Sequence, residues 1–182
     1  NKFAMIASAI GTKGEKVNIN ATEEFLKAGL MMKAIRVQAN GRIKESMAFE
    51  NINYTEVYHE ENEWIDSRCY DIFTSRFMFV IFREQTPEKE DYVLDQIFFW
   101  TMPQSDLQVA EQYWNNIKQC VNENHIAPEY FWKIGDHKLF HVRPKGKNKQ
   151  DLAPNPHGGE VQKYCYWFNN EYITDIVNKN KQ

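Results

Sequence analysis

Three groups of residues in this chain have types and spacings that could do chemistry. The first is basic: Lys133, Lys138, Arg143, Lys145, Lys147 and Lys149 stand against one acid, Asp136, over residues 133–149. A local excess of that sign attracts a polyanion. The second is acidic: Glu50, Glu56, Glu60, Glu61, Glu63, Asp66 and Asp71 stand against Arg68. The third holds the soft ligands and nucleophiles. His137 and His141 are four apart, but on a predicted strand and without a third ligand, so they do not make a zinc site. Cys69, Cys120 and Cys165 are far apart, with no Cys-x-x-Cys pair and no nucleophile-elbow signature around them. Gly11-Thr12-Lys13-Gly14-Glu15-Lys16 lacks the frame and the terminal Lys-Ser/Thr of a phosphate loop, and reads as a turn.

The elements that must position these groups fit one domain. With 182 residues, 42% hydrophobic and 14% aromatic, the chain can fill a core and falls outside the disordered and low-complexity classes. Residues 1–182 are therefore expected to form a single domain. The apolar runs Phe77–Phe82 and Ile97–Trp100 are far shorter than the roughly 20 residues a membrane helix requires, so no membrane partner is expected. The cysteine usage fits a reducing, cytoplasmic home. The chain starts at Asn1 without Met, which suggests a fragment of a longer polypeptide.

Periodicity predicts a short helix over residues 3–10. Residues 30–38 read as a strand, joined through the Asn40-Gly41 turn to a second strand from Ile43 to Ile52, a hairpin. Asn62 is placed to cap a helix from Glu63 to about Ser75, with Trp64, Ile65, Cys69, Ile72 and Phe73 on one side. The run Phe77 to Phe82 reads as a strand buried on both faces, and another strand falls between Tyr92 and Thr101. Ser105 and Gln108 read as the capping box of a helix over residues 106–123, with Leu107, Ala110, Trp114, Ile117 and Val121 inward. Strands at 138–142 and 163–168, a long loop from Pro144 to Gly159 between them, and a helix from Asn170 complete the order. The class is mixed α/β (α+β), a central mixed sheet flanked by helices.

The segment Glu24-Phe25-Leu26-Lys27-Ala28-Gly29-Leu30-Met31-Met32-Lys33-Ala34-Ile35-Arg36-Val37 resembles the MutH family of GATC-directed endonucleases. That family's site is an acid, six residues, a Glu, any residue and a Lys, entering a strand. Asn1 to Ile10 is similar to the family's first active-site helix, Trp64 to Phe82 to its helix and following strand, and Arg143-Pro144-Lys145 to its Arg-Pro-Lys DNA-reading loop. The resemblance implies a restriction-endonuclease-like core and a Mg²⁺-dependent phosphodiester hydrolysis, in which carboxylates hold the hard cation and the lysine meets the phosphate.

Measured against that pattern, the catalytic positions are degenerate. Ile10 stands at the helix acid and Met31 at the Glu; Glu24 replaces an Asp, and Lys33 alone is unchanged. A neutral thioether is a poor Mg²⁺ ligand. Residues 28–38 contain no acid, and the nearest substitutes are Glu45 and Glu50 on the expected hairpin partner. The expectation is a domain that holds no metal and does not cut. The resemblance also implies DNA contacts by Arg143 to guanine, by Lys145 to phosphate, by Lys147 and Lys149 beyond them, and by Lys2 at the first helix. Ser67-Arg68-Cys69-Tyr70-Asp71 stands for the family's basic helix, and Asn169 and Asn170 for its paired lysines, so the phosphate grip is thinned. An inactivated fold of this kind is similar to the C-terminal half of a GATC-cutting type II restriction endonuclease with two such folds. Its expected partners are double-stranded DNA containing GATC, an N-terminal catalytic domain that uses Mg²⁺, and a possible second copy on DNA; its expected role is that of an allosteric effector-DNA module. Two other readings stand beside it. One is an active endonuclease using Glu24, Lys33 and Glu45. The other is an interaction or dimerisation platform carrying the acidic stretch.

Overall fold

A computed structural model describes residues 19–59, 63–86 and 91–181. The expected helix over residues 3–10, with Lys2 and Ile10, the Gly11 to Lys16 turn and the capping residue Asn62 lie outside the described residues. The elements are α1 (Glu23–Lys27), β1 (Leu30–Val37), β2 (Met47–Asn51), α2 (Tyr54–Tyr58), α3 (Arg68–Thr74), β3 (Arg76–Glu84), β4 (Tyr92–Trp100), α4 (Gln104–Asn122), β5 (Phe140–Pro144), β6 (Leu152–Pro154), β7 (Glu160–Gln162), β8 (Tyr164–Phe168) and α5 (Asn170–Lys179). The class is mixed α/β, with strands flanked by helices, as expected. The strands are shared between two sheets, β1-β3-β4 and β2-β8-β5, and the ribbon β6-β7. Among the described residues, one compact unit gathers 19–36 with 75–101, and the other gathers 37–74 with 102–181. No helix among them is long and apolar enough to cross a membrane.

The first unit is built on the aromatic run. Phe77, Phe79, Val80 and Ile81 are fully buried in β3, which pairs antiparallel with β4 from Phe77↔Trp100 to Glu84↔Tyr92. Phe25 of α1 packs into a cluster with Ile19, Met32, Val80 and Phe82. Gly29, at φ +58, ends α1 and turns the chain into β1, a conformation glycine adopts without Cβ strain. The Asn20 side chain then acts as a surrogate strand: Met32 N–H donates to its Oδ1 at 2.6 Å, and its Nδ2 donates to Met32 O at 3.2 Å. That clamp fixes the register of β1, and register decides which face every side chain takes.

The second unit centres on β8. Tyr164, Tyr166 and Phe168 point to one face, where Phe73 of α3 lies within ring-contact distance of Phe49, Tyr113, Phe140, Tyr166 and Phe168. Ala110, Trp114, Ile117 and Val121 of α4 are buried, as the 3.6-residue period predicts, and so is Tyr113, while Leu107 is only half-buried.

Four local expectations are corrected. The Asn40-Gly41 turn exists, closed by Gly41 N–H to Gln38 O and Gln38 N–H to Arg42 O, but no hairpin follows. β1 joins β3 while β2 pairs antiparallel with β8, so the turn hands the chain from one sheet to the other. The helix expected from Glu63 is broken by Ser67, which is extended at ψ 147. Its hydroxyl donates to Trp64 O and accepts from Tyr70 N–H, ending one turn and capping α3. Ile65 is exposed in consequence. The Ser105–Gln108 capping box does not form: α4 starts at Gln104 after Pro103, and Ser105 Oγ donates to Asp106 Oδ1.

Finally, the stretch from Pro144 to Gly159 is no open loop. β6 and β7 pair through Leu152↔Gln162 and Pro154↔Glu160, closed by a turn at Asn155–Gly159. His157 bonds Val121 O at 2.8 Å and packs edge-on to Tyr58, while Asn155 bonds Asn124. At the ribbon's base the Asp151 carboxylate accepts from Lys147 N–H and from Lys163 Nζ. Those bonds hold its acid below the usual carboxylate value of 3.8. Because the folded chain favours the ionised form, this contribution is present above the ordinary value and is lost as pH falls through the lowered one. The protection of the Lys147 amide from hydrogen exchange, taken relative to the intrinsic rate at each pH, is therefore expected to fall on acidification, and Asp151→Ala to show the low protection already at neutral pH.

Candidate nucleic-acid interface and the acid–lysine strand

The basic element rests on the face of β8 opposite the core. Phe140 and Val142 of β5 point inward, so His141 and Arg143 point the other way, beside Cys165 and Trp167 of β8. There the Arg143 guanidinium carbon lies 4.9 Å from the Trp167 ring centroid and the Lys145 Nζ 5.9 Å from it. One indole thus carries both cations, each contact worth about 0.5–1 kcal/mol at an exposed site. Lys145 is held again by its Nζ donating to Phe49 O at 3.0 Å.

Beneath the indole, the buried His141 ring stacks at 5.7 Å on Trp167. Asn169 orients it. The Asn169 amide nitrogen donates to the carbonyls of Ile134 and His137, which leaves its oxygen to accept from His141 Nδ1–H. Burial lowers the pKa of His141, and the Arg143 charge pushes the same way, against the Asn169 bond. A neutral imidazole lets Arg143 sit beside it without repulsion.

The remaining expected DNA residues divide. Lys147 and Lys149 are exposed beside the ribbon, with Lys147 anchored by its backbone. Arg143 and Pro144 belong to the end of β5 rather than to a loop. In α3, which stands for the family's basic helix, Arg68 is spent on Glu50, with Nε–Oε2 at 2.9 Å and Nη2–Oε1 at 2.5 Å. Asn169 is the histidine's partner, and Asn170 Nδ2 donates to Ile43 O. Neither asparagine supplies a cation.

The acid–lysine strand lies in the other unit. Met31 and Lys33 alternate to one face of β1, both half-buried, while Met32 is 2% exposed in the apolar cluster on the opposite face. Glu24 is exposed on α1. A one-residue slip would drive Lys33 into the core, so the Asn20 clamp keeps Met31 and Lys33 on the face away from the apolar cluster. Glu45 and Glu50 are not on a strand paired with β1, because the hairpin is absent; Glu50 is bound to Arg68. Among the described residues no three His, Cys, Asp or Glu side chains gather as a metal-binding group. Of the positions that the resemblance sets at a metal site, Met31 offers a neutral thioether and Lys33 an ammonium, neither of which suits Mg²⁺, which wants oxygen ligands in octahedral array. Sequence reasoning missed Trp167 and Asn20, and it named His141 and Asn169 without their pairing beneath the indole. The first could have been found from the alternation Tyr164, Tyr166, Phe168, which sends Trp167 outward.

Comparison with known proteins places these observations. The profile of the DNA mismatch repair enzyme MutH matches residues 14–112, more than half of the chain and inclusive of Glu24, Met31 and Lys33. The chain is 25% identical to the type II restriction enzyme Sau3AI of Staphylococcus aureus over 94% of its own length. It spans 44% of that relative, a little under half. With its mixed α/β architecture and its match across β1, β3 and β4, the chain belongs to the MutH family, whose fold is restriction-endonuclease-like.

Proposed function

We propose that this chain is a DNA-binding module that reads duplex GATC without hydrolysing it, and that its occupancy activates a Mg²⁺-dependent nuclease domain N-terminal to it in a longer restriction enzyme. The observation that carries the reading is the cation pair on Trp167. Arginine presents two donors to guanine O6 and N7, and a ring that fixes the guanidinium plane reduces the entropy lost on binding. Lys147 and Lys149 add phosphate contacts that fix position but not sequence. The loss of hydrolysis rests on Met31 and Ile10, where the family has acids. Activation requires that DNA bind the active arrangement of the whole enzyme more tightly than the inactive one. Enzyme chemistry through Glu24, Lys33 and Glu45 loses the strand pairing on which it depended.

Two assays test this. Affinity for GATC and scrambled duplexes, followed across salt, is expected to separate the sequences at every salt concentration; equal affinities would reject specific reading. Supercoiled plasmid incubated with the chain and Mg²⁺ is expected to stay intact. Nicking that disappears in Glu24→Ala would establish a working site and overturn the assignment.

A further inference from the structure

A cavity of about 230 Å³ opens in the second unit, between β2, α2, α3, α4 and β8, and none of the residues named so far for DNA lines it. Its wall includes Trp114, Tyr166, Val57 and Ser67, all buried; its rim includes Glu50, Asn51, Glu56 and Arg68. One feature singles it out. Trp114 is 3% exposed, yet its indole N–H has no hydrogen-bond partner. Tyr166, also 3% exposed, lines the same wall. Buried donors are nearly always paired, so an unpaired indole N–H on this cavity suits an acceptor from outside.

Charge restricts what that acceptor can belong to. Glu50, Glu56 and Asp71 all act on the single Arg68 guanidinium, and Glu50 already takes two of its nitrogens. A phosphate or carboxylate entering here meets a net excess of negative charge in a partly desolvated site. A neutral, planar molecule with acceptors for the indole and phenol and with N–H groups for a carboxylate suits the cavity instead. We infer that this cavity is a nucleobase pocket, in which Trp114 Nε1–H and Tyr166 O–H donate to the base and Glu56 accepts from its amino edge. Guanine is the best match, because it sets two acceptors, O6 and N7, beside the adjacent donors N1–H and N2–H₂. Such a base arrives either free, as a nucleoside, or extruded from a duplex. The inference stands apart from the reading of Arg143 and does not need it.

The indole N–H resonance of Trp114, assigned from its loss in Trp114→Phe, is expected to shift saturably with guanosine and less with adenosine, cytidine or thymidine. Trp114→Phe removes the unpaired indole N–H, and Tyr166→Phe removes the hydroxyl proposed to donate beside it. They are expected to weaken guanosine about tenfold without lowering Tm, the value for one hydrogen bond near 1.4 kcal/mol. Guanosine monophosphate should bind no more tightly than guanosine. The inference is overturned by the absence of saturable shifts with every nucleoside, by Phe variants that bind guanosine as the parent does, or by tighter binding of the monophosphate. A GATC duplex with 2-aminopurine beside the guanine distinguishes the source. Brightening with the parent chain but not with either Phe variant identifies an extruded base, and guanosine binding without brightening identifies the free one. Guanosine binding with no duplex binding at all would sink the DNA reading while leaving this pocket in place.

Discussion

Arg143→Ala is expected to lower affinity for a GATC duplex roughly ten- to hundredfold and to erase the preference over a scrambled duplex, the loss that one bidentate arginine–guanine contact carries. Fluorescence anisotropy on the two duplexes across a salt series measures it. Lys147→Ala and Lys149→Ala act differently: each should weaken both duplexes alike and flatten the salt dependence by about one counterion. Trp167→Leu should follow Arg143→Ala in sequence preference, because it frees the guanidinium from the ring 4.9 Å away. Trp167→Phe, which keeps a ring there, should retain part of the preference. An Arg143→Ala loss equal on both sequences would make Arg143 a phosphate ligand and remove base reading from the site.

Phe73→Ala is expected to cost about 3–5 kcal/mol of folding stability, the range for truncating a buried phenyl. Phe73 is fully buried and touches five aromatic rings contributed by β2, α4, β5 and β8. The neighbours on the strands are held by ladder hydrogen bonds, so the cavity cannot collapse around the missing ring. Urea unfolding followed by near-ultraviolet circular dichroism reads the change. A loss below about 1.5 kcal/mol would mean that the aromatic cluster repacks.

The strands β3, β4 and β8 and the helices α4 and α5 were legible because period and composition agree there: β-branched and aromatic residues in short runs, and apolar residues at helical spacing. Pairing partners were not. Asn40-Gly41 is a strong local hairpin signal, yet β2 goes to β8, a choice made by the long-range matches Met47↔Phe168 and Ala48↔Trp167. Ser67 was hidden in a helical pattern because its cap is a side-chain bond, not a hydrophobic one. For the site, Arg143 and Lys145 could be read from type and spacing. The outward direction of Trp167 could be read from the alternation along β8, but its place under the two cations could not, since that depends on lying across the sheet from them. The absence of acids in residues 28–38 was plain in the sequence, but the Asn20 clamp that holds Met31 in place joins residues 12 apart and leaves no pattern.

β8 lies between β2 and β5, with Tyr164, Tyr166 and Phe168 packed on one side and Cys165 and Trp167 on the other. Along it, side chains alternate between the aromatic core and the face where Cys165 is buried and Trp167 underlies the two cations. If the proposed reading holds, substitutions within this strand are expected to disturb packing and preference together, whereas those at the end of β5 and in the ribbon are expected to change preference alone.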